Sequence, residues 1–281
     1  MKKIGFIDYY LNEWHADNYP DMITKATGGE YQVCYAYAYS EPPIDKGLMS
    51  NKEWAKLHKI ELLDSIEEVI EKSDFLIVLS PDNPEMHEIL CDLPLKSGKN
   101  TYVDKTFAPD KETAIRIFDN ANKGQTKCFS SSALRFSAEL QEINTDSIYK
   151  IYSEGPYSLE VYSIHQIEQI MKLMNSRATR LMFLGDRVHP SMIIEFEDGR
   201  HAQIYHRNDK EGSFRITTVD NDNNALNYEI KSDFFGLFIK AMIEFFETGI
   251  VPVPQEQTIS VIAVRAAAIK ACETPFEWVS L

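Results

Sequence analysis

The first 130 residues alternate short apolar segments with amphipathic ones. Ile4–Ile7, Phe75–Leu79 and Thr101–Val103 are compact apolar runs that predict strands. Phe75–Leu79 is apolar at every position, which is typical of a strand covered on both faces in a parallel sheet. Between these runs, the pattern predicts helices over Asn51–His58 and Asp110–Asn122. Strand–helix alternation of this kind predicts an α/β half with a doubly wound parallel sheet.

Beyond residue 130 the period of the pattern changes to two. Apolar and acidic residues alternate through Met192–Glu197, and Asp198-Gly199, a dipeptide that favours tight hairpins, follows directly. Similar segments around it predict an open antiparallel sheet, with the helix Ile164–Met174 as a candidate cover. We therefore predict a nucleotide-binding domain over residues 1–130 and an α+β substrate or oligomerisation domain over residues 131–281.

Composition narrows the range of partners. The chain carries 43 acidic residues against 29 Lys and Arg, a net charge of -14, so its surface repels phosphate backbones and nucleic acid is not an expected partner. No apolar run approaches the roughly 20 residues of a membrane-spanning helix. The four cysteines are scattered and the histidines lack metal-ligand spacing, so we expect no metal site and a reducing, cytoplasmic location.

The residues that follow each parallel strand are candidates for ligand contacts, because ligands bind beyond the carboxyl ends of such strands. Lys105 lies just after the strand Thr101–Val103. Its ammonium could hold a substrate hydroxyl, and partial desolvation would lower its pKa towards neutrality and allow acid–base catalysis. Side chains alternate along a strand, so Asp104 should point away from Lys105 and brace the turn or a nucleotide ribose.

Three segments resemble the glucose–fructose oxidoreductase / inositol dehydrogenase (Gfo/Idh/MocA) family. They run from Ser73 to His87, over Gly98–Thr106, and from Phe245 to the C-terminal Leu281. The resemblance implies a Rossmann domain, a C-terminal α+β domain with an open antiparallel sheet, and NAD(P)-dependent oxidation or reduction. It implies sugars, cyclitols or related polyols as substrates.

The resemblance also implies roles for single residues. Proton transfer would fall to Lys105 and His165, and substrate contacts to these two and Arg135. Where the family has Asp and Gly before the histidine, this sequence has Val161 and Ser163, so a carboxylate that could hold the substrate is missing. The cofactor would lie against Asp8, Tyr10, Leu11, Ser80, Pro81, Asp82, His87 and Asp104. For His87, a structural role in tying its turn to its helix is the alternative.

The glycine-rich turn of the nucleotide half is altered. Its three glycine places are held by Asp8, Tyr10 and Glu13. The two acids bring negative charge to the helix N-terminus where a pyrophosphate should lie, and two like charges about 6 Å apart repel by roughly 2–3 kcal/mol. Near the second predicted strand, no Lys or Arg that could bind the 2′-phosphate of NADP occurs before Lys46. NAD is therefore mildly favoured over NADP.

Two function classes stay open. The first is an NAD(P)-dependent oxidoreductase with an altered phosphate loop, favoured by the retention of Lys105 and His165. The second is a family member that has lost hydride chemistry and serves as a ligand-binding or regulatory protein, favoured by the loss of the glycines. A homo-oligomer is expected in either case, because an open antiparallel sheet leaves a face or edge to cover.

Overall fold

The computed structural model describes residues 1–207, 209 and 212–281. The chain forms two compact units: Met1–Ser131 with Ile239–Gln255, and Ser132–Phe238 with Glu256–Leu281. Ile239–Gln255 thus belongs to the first unit although it lies late in the sequence. No helix in the described ranges combines the length and apolarity needed to cross a membrane.

The first unit contains a parallel sheet, as the strand–helix alternation predicts. Its described strands are β1 (Lys2–Asp8), β2 (Tyr31–Ala38), β3 (Glu61–Leu62), β4 (Phe75–Val78), β5 (Thr101–Val103) and β6 (Cys128–Phe129). They lie in the order β3-β2-β1-β4-β5-β6, so the strand order reverses between β1 and β4. This is the doubly wound Rossmann order, in which ligands bind at the carboxyl edge near the reversal.

The helices of the first unit begin where the sequence supplies caps. They are α1 (Trp14–Ala26), α2 (Asn51–His58), α3 (Ile66–Lys72), α4 (His87–Leu90) and α5 (Lys111–Lys123). Ser50 and Glu53 form a capping box at the start of α2, and the Asp110 side chain accepts a hydrogen bond from the Thr113 amide at the start of α5. The segment Ile239–Gln255 packs onto the same unit through Phe246, whose ring stacks on that of Phe75 at 4.9 Å between centroids.

The second unit contains a mixed sheet. Its described strands are β7 (Ile148–Gly155), β8 (Ala178–Gly185), β9 (Pro190–Phe196), β10 (His201–His206), β11 (Arg215–Asp220), β12 (Ala225–Glu229) and β13 (Trp278–Ser280), in the order β12-β11-β7-β10-β9-β8-β13. Described neighbours run antiparallel except β7 and β10, which are parallel. The sequence pattern predicts the other long strands but misses β7, because Tyr149 and Tyr152 are exposed apolar residues that break its alternation.

The second unit also contains helices. They are α6 (Ala138–Gln141), α7 (Leu159–Met174), the start of α8 (Phe234–Thr248) and nearly all of α9 (Gln255–Ala271). Helix α7 packs on β7 and β10, as expected of the candidate cover. His206 is fully buried at the end of β10, and burial lowers its pKa to about 4.

Candidate functional site

Several residues predicted to contact a cofactor meet at the carboxyl edge of the parallel sheet. The loop after β1 and the turn after β4 enclose a cavity of about 10 Å³. Its lining residues are Asp8, Tyr9, Tyr10, Glu13, Ser80, Pro81, Asp82 and Asn83. A cavity of this size holds about one water molecule.

Two further residues predicted to contact the cofactor have internal roles. Leu11 is fully buried, and its amide donates to Asn51 Oδ1 at 2.9 Å. His87 is also fully buried, with Nε2 2.8 Å from the carbonyl oxygen of Leu79 and Nδ1 3.0 Å from that of Thr106. The His87 ring therefore ties the end of β4 to the loop after β5, which supports the structural alternative for this residue.

The N-terminus of α1 is capped by a carboxylate of the chain itself. Glu13 is the N-cap residue, and its side chain accepts hydrogen bonds from the amides of His15, at 2.7 Å, and Ala16. Just before it, the Tyr9 amide donates to Asp8 Oδ1 at 2.6 Å. Amides at this place are the donors that hold a phosphate group in nucleotide-binding folds. Here they are bonded to side chains of the same loop.

An ion pair lies beneath this loop. His15 Nδ1 is 2.9 Å from Asp104 Oδ2 and 3.5 Å from Glu13 Oε2, and all three side chains are buried. His15 and Asp104 thus form a buried ion pair. Asp104 Oδ1 accepts a hydrogen bond from the Tyr102 hydroxyl at 2.9 Å. We call Asp8, Glu13, His15 and Asp104 the acid–histidine cluster.

Burial and neighbouring charges have opposite effects on the pKa values of His15 and Asp104. Burial acts to lower the pKa of His15, but the charge of Asp104 and the close contacts with Asp104 and Glu13 together outweigh it and raise the pKa to about 9. Burial acts to raise the pKa of Asp104, but the charge and close contact of His15, together with the charge of Lys105, outweigh it and lower the pKa to about 2. The pair is therefore ionised at neutral pH. No group of three or more Asp, Glu, His or Cys side chains among the described residues is arranged to hold a metal ion.

Asp8 carries a different charge state from its neighbours. Burial and then the charge of Glu13 raise the pKa of Asp8 well above its ordinary value. Its Oδ2 atom has no hydrogen-bond partner in the described part of the chain. A desolvated carboxyl group beside another carboxylate favours its neutral form, so Asp8 tends to keep its proton.

Lys105 lies next to the cluster but differs from Asp104 in environment. Asp104 is fully buried, whereas Lys105 is half-buried. Over residues 1–207, 209 and 212–281, the Lys105 ammonium has neither a hydrogen bond nor an ion pair, although its charge contributes to lowering the pKa of Asp104. The Lys105 ammonium is therefore available to donate to a ligand, whereas the Asp104 carboxylate is used in contacts within the fold.

In the second unit, His165 lies on α7 with its ring held by a neighbour. Its Nδ1 is 2.7 Å from Ser132 Oγ. The rings of Tyr162 and Phe214 lie edge-on to it, at 4.9 and 5.8 Å between centroids. The His165 side chain is half-buried, so it is oriented by Ser132 while part of its surface stays accessible.

Arg135 lies on the short 3₁₀ helix Ala133–Phe136 and is 6% exposed. Its guanidinium forms an ion pair with Glu168 at 3.2 Å and a hydrogen bond with Gln257. The sequence pattern places Glu168 and Gln169 on a polar face of α7, but both are buried in the second unit. The contacts of Arg135 support a structural role in the second unit rather than substrate binding.

Known structures match the chain over the residues of both units. No protein-family model and no curated protein matches the sequence. GenD2 from gentamicin A biosynthesis, solved with NAD, is 9% identical, with 100% of this chain and 96% of that chain covered and a TM-score of 0.82. Myo-inositol dehydrogenase from Lactobacillus casei, solved with NAD(H) and myo-inositol, is 13% identical, with coverage of 100% and 96% and a TM-score of 0.81. The chain has the Gfo/Idh/MocA-type fold.

A third structure with this fold, apo scyllo-inositol dehydrogenase from Lactobacillus casei, is 15% identical, with coverage of 99% and 98% and a TM-score of 0.79. Identities this low establish the fold alone. The residues of this chain, and not these identities, indicate what it binds.

The residues at the phosphate loop do not fit a dinucleotide. In a Rossmann fold the pyrophosphate lies against the first loop and the N-terminus of α1. In this chain that place is taken by the Glu13 carboxylate, with the buried Asp8 carboxyl group behind it. The amides of Tyr9, Leu11 and His15 are already bonded to side chains of this chain.

Proposed function

We propose that this protein is a ligand-binding member of the Gfo/Idh/MocA-type fold that works without a dinucleotide. The ligand is a sugar, cyclitol or related polyol, and Lys105 and His165 provide contacts to its hydroxyl groups. The observation that carries the proposal is the self-capped phosphate loop, in which Glu13 holds the donors at the N-terminus of α1. A pyrophosphate would have to displace this carboxylate and leave it desolvated beside a second anion.

Two half-buried polar side chains, Lys105 and His165, support this ligand class. Lys105 offers an ammonium that can donate several hydrogen bonds, and it lies at the carboxyl edge of the sheet. His165 offers an imidazole whose orientation is fixed by Ser132. Such groups suit hydroxyl recognition, and a protein of the same fold has been solved with myo-inositol.

A second candidate is an NAD(P)-dependent oxidoreductase acting on the same class of ligand. It is favoured by the retention of Lys105 and His165 on a fold that holds NAD in other proteins. It requires the loop after β1 to release Glu13 from α1. The two candidates differ in whether a reduced dinucleotide binds.

Replacing Lys105 by Ala should weaken polyol binding about tenfold or more, because a hydrogen bond from a charged donor contributes about 1.5–3 kcal/mol. Isothermal titration calorimetry with myo-inositol and D-glucose as probes measures this. Lys96→Ala is the matched control, since the Lys96 ammonium is exposed and pairs with Asp92 on the surface. Equal affinities of Lys105→Ala and wild type would remove Lys105 from the site, and no binding of either probe by the wild type would contradict the proposal.

A further inference from the structure

The cavity between the loop after β1 and the turn after β4 has an acidic wall. Three of the residues that line it are acids, Asp8, Glu13 and Asp82, and none of the lining residues is basic. Asp82 is exposed, whereas Asp8 is fully buried. A buried carboxylate is costly unless a positive charge compensates it, so a cavity with this lining favours a cationic ligand.

Asp8 supplies an unbonded oxygen atom to this wall. Its side chain is 1% exposed, and its Oδ1 atom accepts a hydrogen bond from the Tyr9 amide at 2.6 Å. Its Oδ2 atom has no hydrogen-bond partner in the described part of the chain. A buried oxygen of this kind has lost its hydration without compensation. A cation in the cavity that Asp8 lines would supply both the missing contact and the opposite charge.

The other side of the cavity offers further oxygen atoms on a closed turn. The Ser80 hydroxyl donates to the Asn83 carbonyl at 3.0 Å, and the Asn83 amide donates to the Ser80 carbonyl at 3.2 Å. Because the Ser80 hydroxyl acts as a donor here, its oxygen keeps lone pairs for a cation. The Glu13 carboxylate accepts two amides at the start of α1, and a carboxylate has about four such positions.

Size and charge limit the class of cation. The cavity of about 10 Å³ holds one water-sized particle, so the ion has to enter without its hydration shell. Divalent ions are usually held by several carboxylates, and the described residues form no group of three or more acids or histidines arranged for a metal ion.

The charges of the acid–histidine cluster agree with a single positive charge. If Asp8 is ionised, its carboxylate joins those of Glu13 and Asp104, and the cations beside them are His15 and Lys105. Three negative groups then face two positive ones. One monovalent cation would balance the cluster.

We propose that this cavity binds one dehydrated monovalent cation of about the size of a water molecule, K⁺ or NH₄⁺, with Asp8 as its anionic partner. Oxygen atoms of Glu13, Ser80 and Asp82 replace the hydration shell of the ion, as protein oxygens do in other potassium sites. The ion takes the place of the proton that Asp8 otherwise keeps, and it holds the loop after β1 to the turn after β4. This inference goes beyond the proposed function and does not depend on the polyol.

Melting in salts of equal ionic strength tests the site. A ligand that binds only the folded protein raises its melting temperature by mass action. With a dissociation constant on the order of 10 mM, KCl or NH₄Cl at about 100 mM should raise the melting temperature by about 3 °C over choline chloride. Choline is too large for the cavity and controls for screening. Equal melting temperatures in KCl, NH₄Cl and choline chloride would show that the cavity holds water only and would overturn the inference.

Asp8→Asn locates the ion. Asn has the shape of Asp without its charge, so the gain in KCl over choline chloride should disappear. Asp64→Asn is the matched control, because Asp64 is an exposed acid of the same unit that does not line the cavity, and it should keep the full gain. A full gain in Asp8→Asn would place the ion elsewhere and overturn the inference.

Asp82→Asn decides the question if Asp8→Asn does not fold. Asp82 is exposed at the rim of the cavity, so its replacement leaves the packing of the unit intact. The gain in KCl should fall by about half or more, and an unchanged gain would overturn the inference. None of these titrations contains a polyol, so their failure leaves the proposed function and the role of Lys105 standing.

Discussion

Asp104→Asn should lower the free energy of unfolding by about 3–5 kcal/mol, the cost typical of breaking a buried ion pair. The reason is that Asp104 is fully buried and its carboxylate stabilises the charge on His15 at 2.9 Å. The amide of Asn carries no charge, so the His15 imidazolium would keep only the more distant Glu13 carboxylate, at 3.5 Å, as its anionic partner. Equilibrium unfolding in urea at pH 7 measures the change.

Asp92→Asn is the matched control for this variant. Asp92 pairs with Lys96 one helical turn away, and both side chains are about half exposed. Exposed pairs of this kind contribute less than about 1 kcal/mol. If Asp104→Asn were no less stable than Asp92→Asn, the acid–histidine cluster would not support the fold.

The stability of the first unit should fall steeply in mild alkali. The pKa of His15 is raised from 6.5 to about 9 in the folded protein, so the protonated imidazole stabilises the fold fully below pH 6.5. This contribution is lost as the pH rises through 9, and it is on the order of 3 kcal/mol because each unit of pKa shift corresponds to about 1.4 kcal/mol. The groups that face His15 are Asp104, Glu13 and Lys105.

Urea unfolding at a series of pH values between 6.5 and 10 measures this loss. His15→Gln removes the titrating group, so its free energy of unfolding should change much less over the same interval. At the acid end the sign is reversed: the pKa of Asp104 is lowered from 3.8 to about 2, so its contribution is present above pH 3.8 and is lost as the pH falls through 2. Parallel profiles of wild type and His15→Gln between pH 6.5 and 10 would show that His15 is not the group responsible.

Most of the fold could be predicted from local pattern. Phe75–Leu79 has the uniform apolarity of a buried parallel strand, and Asp110 has the short acidic side chain that begins α5. Such signals act over a few residues, so one sequence displays them. The pattern does not predict β7, because its exposed tyrosines obscure the alternation that marks a strand.

The candidate site could be predicted only in part. The acids at Asp8 and Glu13 show that the phosphate loop is altered, but the sequence does not show that Glu13 caps α1 or that His15 meets Asp104. That ion pair joins residues far apart in the chain, and only the fold brings them together. Gln169 has the helical spacing of a solvated polar residue, and its burial depends on elements that its own sequence neighbourhood does not reveal.

The self-capped loop explains how a Rossmann-type sheet can be kept without glycines at the phosphate loop. An anion at the N-terminus of α1 satisfies its exposed amides, and Glu13 supplies that anion from within the chain. Asp8 and the His15–Asp104 pair then fill the space behind it with groups whose charges balance. The cluster therefore stabilises the N-terminus of α1, which a bound pyrophosphate stabilises in a dinucleotide-binding protein.

Titration with NADH and NADPH, read as energy transfer from protein tryptophan to the reduced nicotinamide, tests the central claim most directly. Trp14 begins α1 directly after Glu13, so a donor lies at the loop in question. Free N-acetyltryptophanamide, titrated in parallel, corrects for absorption by the nucleotide. We expect no saturable energy transfer with either nucleotide at millimolar concentration. A saturable signal with a micromolar dissociation constant would contradict the self-capped loop and restore the oxidoreductase.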